Sequence, residues 1–324
     1  MEIKAADDKQ RDIDALEALL ARPGVTADTQ HRIQDELRLI RSGVQAERDA
    51  AYEIEFHFGN SHNQMTLHDL RLESRGRVAQ IDHLIITRLF QVWVCESKSF
   101  ADGVRINAHG EWERFYGRRA YGIPSPIEQN RRHLLVLGDV FKDAVRLPRR
   151  VGFTLVPELK SLVIISNRGR IVRPPPGTRI DGLDTVIKAE ALEHVVRGAI
   201  DKAGPTVFAK IVLSRTIEDL ARQLAALHRP IAIDWAARFG LPATPQAQPP
   251  APPAAMQVDR EPQPVRAGAE RVAQGKGPRS LATCESCGRT VSRGVARYSR
   301  DHADRFGGRI LCMDCQRQVG GPVA

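Results

Sequence analysis

Asp82, Glu96 and Lys98 interrupt two otherwise apolar runs within residues 80–100, QIDHLIITRLFQVWVCESKSF. Residues 81–87 and 91–95 are rich in β-branched and aromatic side chains, which suit a pleated, buried surface. Charges left unpaired in such a place are costly, so something must compensate them. Residues two apart on a strand face the same way, which sets Glu96 beside Lys98. If the turn at residues 88–90 folds the runs into a hairpin, a two-residue loop pairs Asp82 with Cys95 and a three-residue loop pairs it with Glu96. The expectation is therefore an odd loop or a bulge. Two carboxylates and an ammonium would then meet. Such a set can hold a hard divalent cation, Mg²⁺ or Mn²⁺, through oxygen while the lysine positions water or offsets phosphate charge. A salt-bridged strand end is the plainer alternative.

A second constellation lies near the carboxyl terminus. Cys284-x-x-Cys287 and Cys312-x-x-Cys315 are matched pairs, and four thiolates give tetrahedral Zn²⁺ binding. The segment resembles a zinc ribbon or a related two-pair zinc module. It has few apolar residues, so metal binding would supply much of its folding free energy. His302 is a possible substitute ligand. Arginines at 289, 293, 297, 300, 305 and 309 give it a positive field that suits nucleic acid or a soluble protein-binding surface. Cys95, in an apolar strand, reads as a small buried hydrophobe.

The elements that must position these groups follow from periodicity and punctuation. Residues 7–21 and about 26–58 have helical spacing, with Pro23-Gly24 between them and Gly43 a point where the second helix can bend or divide. Residues 65–73 alternate as a half-exposed strand, and Arg75-Gly76-Arg77 turns the chain into the central hairpin. A short strand pair is expected over 103–113, with Trp112 and Tyr116 as core or rim packing rather than nucleic-acid stacking platforms. Ser125 can cap a helix, Pro126 suits its first position and Glu128 completes a capping box. A buried strand follows at 161–166, a further one at 184–187, and helices at 189–203 and 216–228. The proline- and alanine-rich stretch 241–280 reads as an extended linker.

The run IDHLII followed by a strand ending in Glu-x-Lys resembles the nuclease-related domain, NERD, a branch of the PD-(D/E)xK nuclease superfamily. GVQAE at 43–47, GEW at 110–112 and SPIEQN at 125–130 match in the same order, over roughly residues 40–200. The resemblance implies an α/β fold with a central mixed sheet flanked by helices. It makes Glu47 an active-site acid, with Glu53 or Glu55 as substitutes, and it places Gln129 near the site, holding Lys98 or the scissile phosphate. The organisation expected is an N-terminal helical hairpin extension (1–40), the nuclease-like domain (41–203), a helical extension (204–240), the linker (241–280) and the zinc module (281–320).

With 324 residues the chain can bury one full core and carry a small module, and a formal charge of +9 favours a polyanionic partner. No apolar run is long enough to cross a bilayer, and the first residues lack an apolar signal core, so the expectation is a cytoplasmic protein with reduced cysteines. The activity expected is hydrolysis of nucleic acid, DNA first, by a nuclease with Asp82 and Glu96 on Mg²⁺, the Ser97 carbonyl as an extra ligand, and Zn²⁺ in the terminal module. The alternative is a non-cleaving nucleic-acid-binding or protein-interaction scaffold, with a protein partner or self-association through the helical segments.

Overall fold

The computed structural model describes residues 1–201, 211–242 and 282–319. In chain order the elements are β1 (Glu2–Lys4), α1 (Gln10–Leu20), α2 (Ala27–Phe58), β2 (Gln64–Ser74), β3 (Arg77–Thr87), β4 (Gln91–Lys98), β5 (Val104–Ile106), β6 (Trp112–Tyr116) and β7 (Arg119–Ile123). They continue with α3 (Pro126–Asp143), β8 (Arg149–Arg150), β9 (Phe153–Thr154), β10 (Glu158–Ile165), β11 (Ile171–Val172), β12 (Val186–Lys188), α4 (Leu192–Asp201), α5 (Ser214–Ala226) and α6 (Trp235–Arg238). The C-terminal part holds β13 (Ala282–Thr283), β14 (Thr290–Val291), α7 (Arg293–Asp301), α8 (Ala303–Phe306) and α9 (Met313–Val319). Most of the expected linker, 243–280, lies outside the described residues, as do 202–203 of the helix expected at 189–203 and 204–210 of the helical extension.

Six strands form one mixed sheet in the order β1-β2-β3-β4-β10-β12. The β2–β4 meander is antiparallel, whereas β10 lies parallel to both β4 and β12. A parallel pair needs a covered crossover, and α3 supplies it between β4 and β10. On one face Leu67, Leu70, Ile81, Leu84 and Val94 pack against Val136, Leu137 and Val140 of α3 and Ile217, Leu220 and Leu224 of α5. On the other, Ile85, Trp93, Cys95 and Ile164 meet Ala50, Ile54 and Phe58 of α2 and Leu192 and Val196 of α4. Each fully buried Leu, Ile or Phe contributes about 1.5–3 kcal/mol, so the helix–sheet–helix sandwich is a rigid frame for whatever projects from its strand ends.

α2 is one unbroken helix through Gly43, capped by Thr26, whose hydroxyl accepts from the Thr29 amide at 3.3 Å. Its first half packs on α1 and α6 through Ile33, Leu37, Leu16, Leu19 and Trp235, and its second half lies on the sheet. Strand β1, absent from the sequence expectation, adds itself parallel to β2. Three residues are too few for a periodic signal.

A smaller sheet, β11-β5-β6-β7, grows from the end of β4 and packs Val104, Ile106 and Trp112 on Ile127, Val163 and Ile165. Trp112 is core as expected, but Tyr116 stands 56% exposed.

Candidate active site and cysteine cluster

The central hairpin closes through three loop residues, Arg88, Leu89 and Phe90, between the facing residues Thr87 and Gln91. Phe90 has a left-handed φ of 57°, and its amide donates to the Thr87 carbonyl at 2.9 Å. This odd loop sets the register in which His83 faces Cys95, so Asp82 falls opposite Glu96. The paired parity anticipated for a three-residue loop is the one observed. The paired ladder ends one residue short of Asp82 and Glu96, at His83 and Cys95, and Asp82 Oδ2 accepts from both the amide (2.8 Å) and the hydroxyl (2.9 Å) of Ser97. Ser97 thus holds Asp82 in place through its amide and side chain.

Both β2 and β3 change face at one cross-strand step. Leu67 and Leu70 share a core face although they are three apart, and so do Ile81 and Leu84. The slip is absorbed at Asp69, whose φ of 51° is left-handed, and it turns His68, Asp69, Asp82 and His83 away from that core. Asp69 is 3% exposed, accepts from Gln80, and lies 2.9 Å from the Lys9 ammonium. Sequence reasoning missed it. The break in alternation within MTLHDLRLE, apolar at 65 and 67 but then at 70 and 72, was the available signal.

The acids gather around this step. Glu47, projecting from α2, is pushed up to about 8 by burial and by the charges of Asp82 and Asp69. Glu96 is likewise raised to about 8 by burial and by Asp82, against the pull of Lys98 and of a hydrogen bond from Gln129. Burial raises Asp82 too, in opposition to Lys98 and the Ser97 donors. Lys98 Nζ donates to Glu96 Oε1 at 2.5 Å; although burial works the other way, Glu96, Asp82 and Glu47 hold its ammonium above the usual range. More carboxyl groups are gathered here than one lysine can offset, so burial and mutual repulsion keep protons on Glu47 and Glu96.

α3 completes the site. Ser125 caps it by accepting from the Glu128 amide at 3.4 Å, while Glu128 turns its carboxylate to Arg131, so only one arm of the expected capping box forms. Asn130, fully buried, donates through its amide nitrogen to the Val94 and Leu162 carbonyls (3.2 and 2.8 Å), bolting the helix across β4 and β10. Gln129 is thereby brought to Glu96. One turn on, His133 lies buried with Nδ1 3.8 Å from Glu96 Oε2, and neither atom has a hydrogen-bond partner. Burial and the nearby Arg132 and Lys98 lower His133 to about 4, so it stays neutral. By sequence His133 groups with Arg131 and Arg132 as a phosphate contact or part of a solvated helix face; it points inward instead.

Of the substitutes considered for Glu47, Glu53 faces His57 and Asn167. Glu55 is engaged with Thr66 (2.8 Å) and His68 (3.5 Å). Glu47 shares the field of Asp82. Burial raises the Cys95 thiol, consistent with an inert core residue.

The four terminal cysteines converge, all Sγ atoms lying within 4.8 Å of one another. The first pair sits beside the β13–β14 hairpin and the second pair at the start of α9. Burial opposes it, but backbone N–H groups of Cys312, Cys287 and Ser286 draw the Cys284 thiol down to about 6, which favours a thiolate ligand. His302 is no ligand of the cluster; its ring stacks on Tyr298 at 4.0 Å. Tyr298 in turn stacks on Tyr52 of α2 at 4.0 Å, the Tyr52 hydroxyl lies 3.2 Å from Gln316 Oε1, and Gly294 nestles on Glu55, where an added Cβ would come within 3.1 Å of Glu55 Cγ. A cavity of about 480 Å³ is left between the two parts, with Glu47, Asp82 and Glu55 on one wall and Ala296 and Tyr298 on the other.

An α/β domain whose acids and lysine converge at the ends of a central hairpin is the class that this geometry defines. Residues 42–166, from the GVQAE turn of α2 to the end of β10, match the family model of the nuclease-related domain. Nothing among curated proteins or solved structures matches the chain. Among the described residues, no helix is long and apolar enough to cross a membrane.

Proposed function

We propose that the chain is a divalent-cation-dependent nuclease acting on DNA, with Asp82 and Glu96 as the residues that would hold Mg²⁺ or Mn²⁺. The observation that carries this reading is the Asp82 carboxylate held on Ser97, the residue between Glu96 and Lys98, where Lys98 bonds Glu96 and the buried Glu96 Oε2 has no hydrogen-bond partner. Buried polar atoms are normally satisfied, so an orphaned carboxylate oxygen within a crowd of acids fits a cation site. Bound there, the cation supplies charge stabilisation at the phosphate and a more acidic water. Lys98, anchored on Glu96 yet partly exposed to the cleft, orients the attacking water. Gln129 fixes the Glu96 carboxylate, Ser97 fixes Asp82, and Glu47 carries a proton at the cleft wall. The cysteine cluster would hold one structural Zn²⁺, and its arginine-bearing surface would help retain substrate close to the site.

Zinc-loaded protein incubated with labelled single- and double-stranded DNA and RNA should cut DNA only when Mg²⁺ or Mn²⁺ is added. Failure to cut any of the four would refute the nuclease reading and leave the non-cleaving scaffold.

The raised acids give a second expected outcome. An unfolded glutamate ionises near 4.3, whereas Glu47 and Glu96 keep their protons to about 8 in the fold. Their contribution to stability is therefore present at low pH and is lost as pH rises from about 4.3 through 8. Without divalent ion, the melting temperature of Glu47→Gln should fall less over that window than that of the wild type. Mg²⁺ should raise the wild-type melting temperature more at pH 8 than at pH 6. Equal Mg²⁺ shifts at both values would show that these acids do not hold it.

A further inference from the structure

Between Lys98 and Gln129 the chain leaves the main sheet to build the β6–β7 hairpin. The registers Trp112↔Ile123, Arg114↔Tyr121 and Tyr116↔Arg119 put these six side chains on one face. At the base that face is core, with Trp112 and Ile123 packed beside Val163 and Ile165. Toward the tip the core stops and the same face continues into solvent, with Tyr116 56% and Tyr121 47% exposed. Their rings meet edge to face at 6.0 Å, and the Arg114 guanidinium lies 4.6 Å over Tyr116. Glu113, on the opposite face, is taken by Arg105, and Glu111 by Asn107. Arg114, Arg118 and Arg119 have no ion-pair partner among the described residues. Two half-exposed tyrosine rings among three arginines without ion-pair partners have the chemistry of a single-strand groove, because every base offers a π-face and every linkage a phosphate.

Position supports the same ligand. The Phe115 amide donates to the Gly103 carbonyl at 3.0 Å, and the Gly103 amide to Phe100 at 3.1 Å, which ties the hairpin to the strand end bearing Lys98. Its other end runs from Ile123 into α3 and Gln129. Five or six residues span at most roughly 20 Å, so both catalytic candidates lie within that reach of the hairpin base.

We propose that the tip of the β6–β7 hairpin is a docking platform for single-stranded nucleic acid, with bases stacked on Tyr116 and Tyr121 and phosphates met by Arg114, Arg118 and Arg119. The ligand class rests on the nuclease reading, but the binding does not depend on cleavage. The test uses full-length, zinc-loaded protein and a fluorescein-labelled oligothymidylate, by fluorescence anisotropy without added Mg²⁺. Tyr116→Ala/Tyr121→Ala should raise Kd at least tenfold, since each stacked base contributes about 1–3 kcal/mol, and Tyr116→Phe/Tyr121→Phe should stay close to wild type because the rings remain. Arg114→Gln/Arg119→Gln should flatten the dependence of log Kd on log salt by about 0.7 for each phosphate that no longer meets an arginine. With Mg²⁺, hydrolysis of thymidine 5′-(p-nitrophenyl phosphate) should be unchanged in the alanine pair, because so small a substrate does not reach the tip. An alanine pair that binds like the wild type overturns the platform and leaves the exposed β7 edge to a protein partner. Equal loss on small and long substrates overturns it as well. A wild type that binds through the tyrosines yet cuts nothing refutes only the nuclease reading.

Discussion

Lys98→Ala, purified with its zinc, is expected to retain less than about one part in a thousand of wild-type cleavage. Two effects combine. Losing the ammonium that orients the attacking water misplaces the nucleophile, which costs about 10²-fold, and removing a fixed charge beside the developing phosphate charge costs about 10²–10³-fold where that charge acts in a water-poor site. The fold should survive, for a reason visible in the geometry. Glu96 already lies where burial and Asp82 favour its neutral form, so losing the Lys98 ammonium leaves a protonated acid rather than a stranded anion. Lys98→Met, which keeps the methylene packing, controls for any local collapse. Melting temperatures near wild type together with lost cleavage in both variants is the expected pair of results. A Lys98→Met protein that still cuts at the wild-type rate would remove Lys98 from the chemistry.

Cys284→Ser should have the largest structural effect in the chain. The core of residues 282–319 is small, with Val291, Val295, Phe306 and Leu311 clustered around the cysteines. Such a core cannot offset the chain entropy of this many ordered residues, at roughly 1–2 kcal/mol each for the backbone alone, whereas a structural zinc supplies about 10–16 kcal/mol. Wild-type protein under reducing conditions should carry one zinc per chain, and the variant none. Limited proteolysis should then cleave within 282–319 while 1–201 stays protected, because the two cores share no buried cluster. Unfolding of this part also removes the Tyr298 ring from Tyr52, so the cavity beside Asp82 and Glu47 opens to solvent. A zinc-free wild type that resists protease as well as the rest of the chain would show that the cysteines are not a metal site.

Much was legible in the sequence because its signals are local. Alternation and β-branched residues marked out β3 and β4, Ser125-Pro126 marked the start of α3, and parity at the hairpin turn required the odd loop that sets Asp82 opposite Glu96. Paired cysteines announced their cluster by spacing alone. Glu47 and Gln129 were placed by resemblance to a nuclease-related domain rather than by any property of their own neighbours. What stayed hidden depends on contacts between distant segments. Asp69 looks like one polar position in an alternating strand until β2 and β3 slip face together, and Asn130 looks like a helix residue until β4 and β10 offer it their carbonyls.

The sequence by itself thus determined which groups could do chemistry and which strands and helices carry them, since residue type, period and turn length act over a few neighbours. Only the tertiary structure decided that Glu47 enters the field of Asp82, that His133 turns inward, and that Tyr298 closes the cleft, because burial and charge at each of these positions are set by chain segments tens to hundreds of residues away.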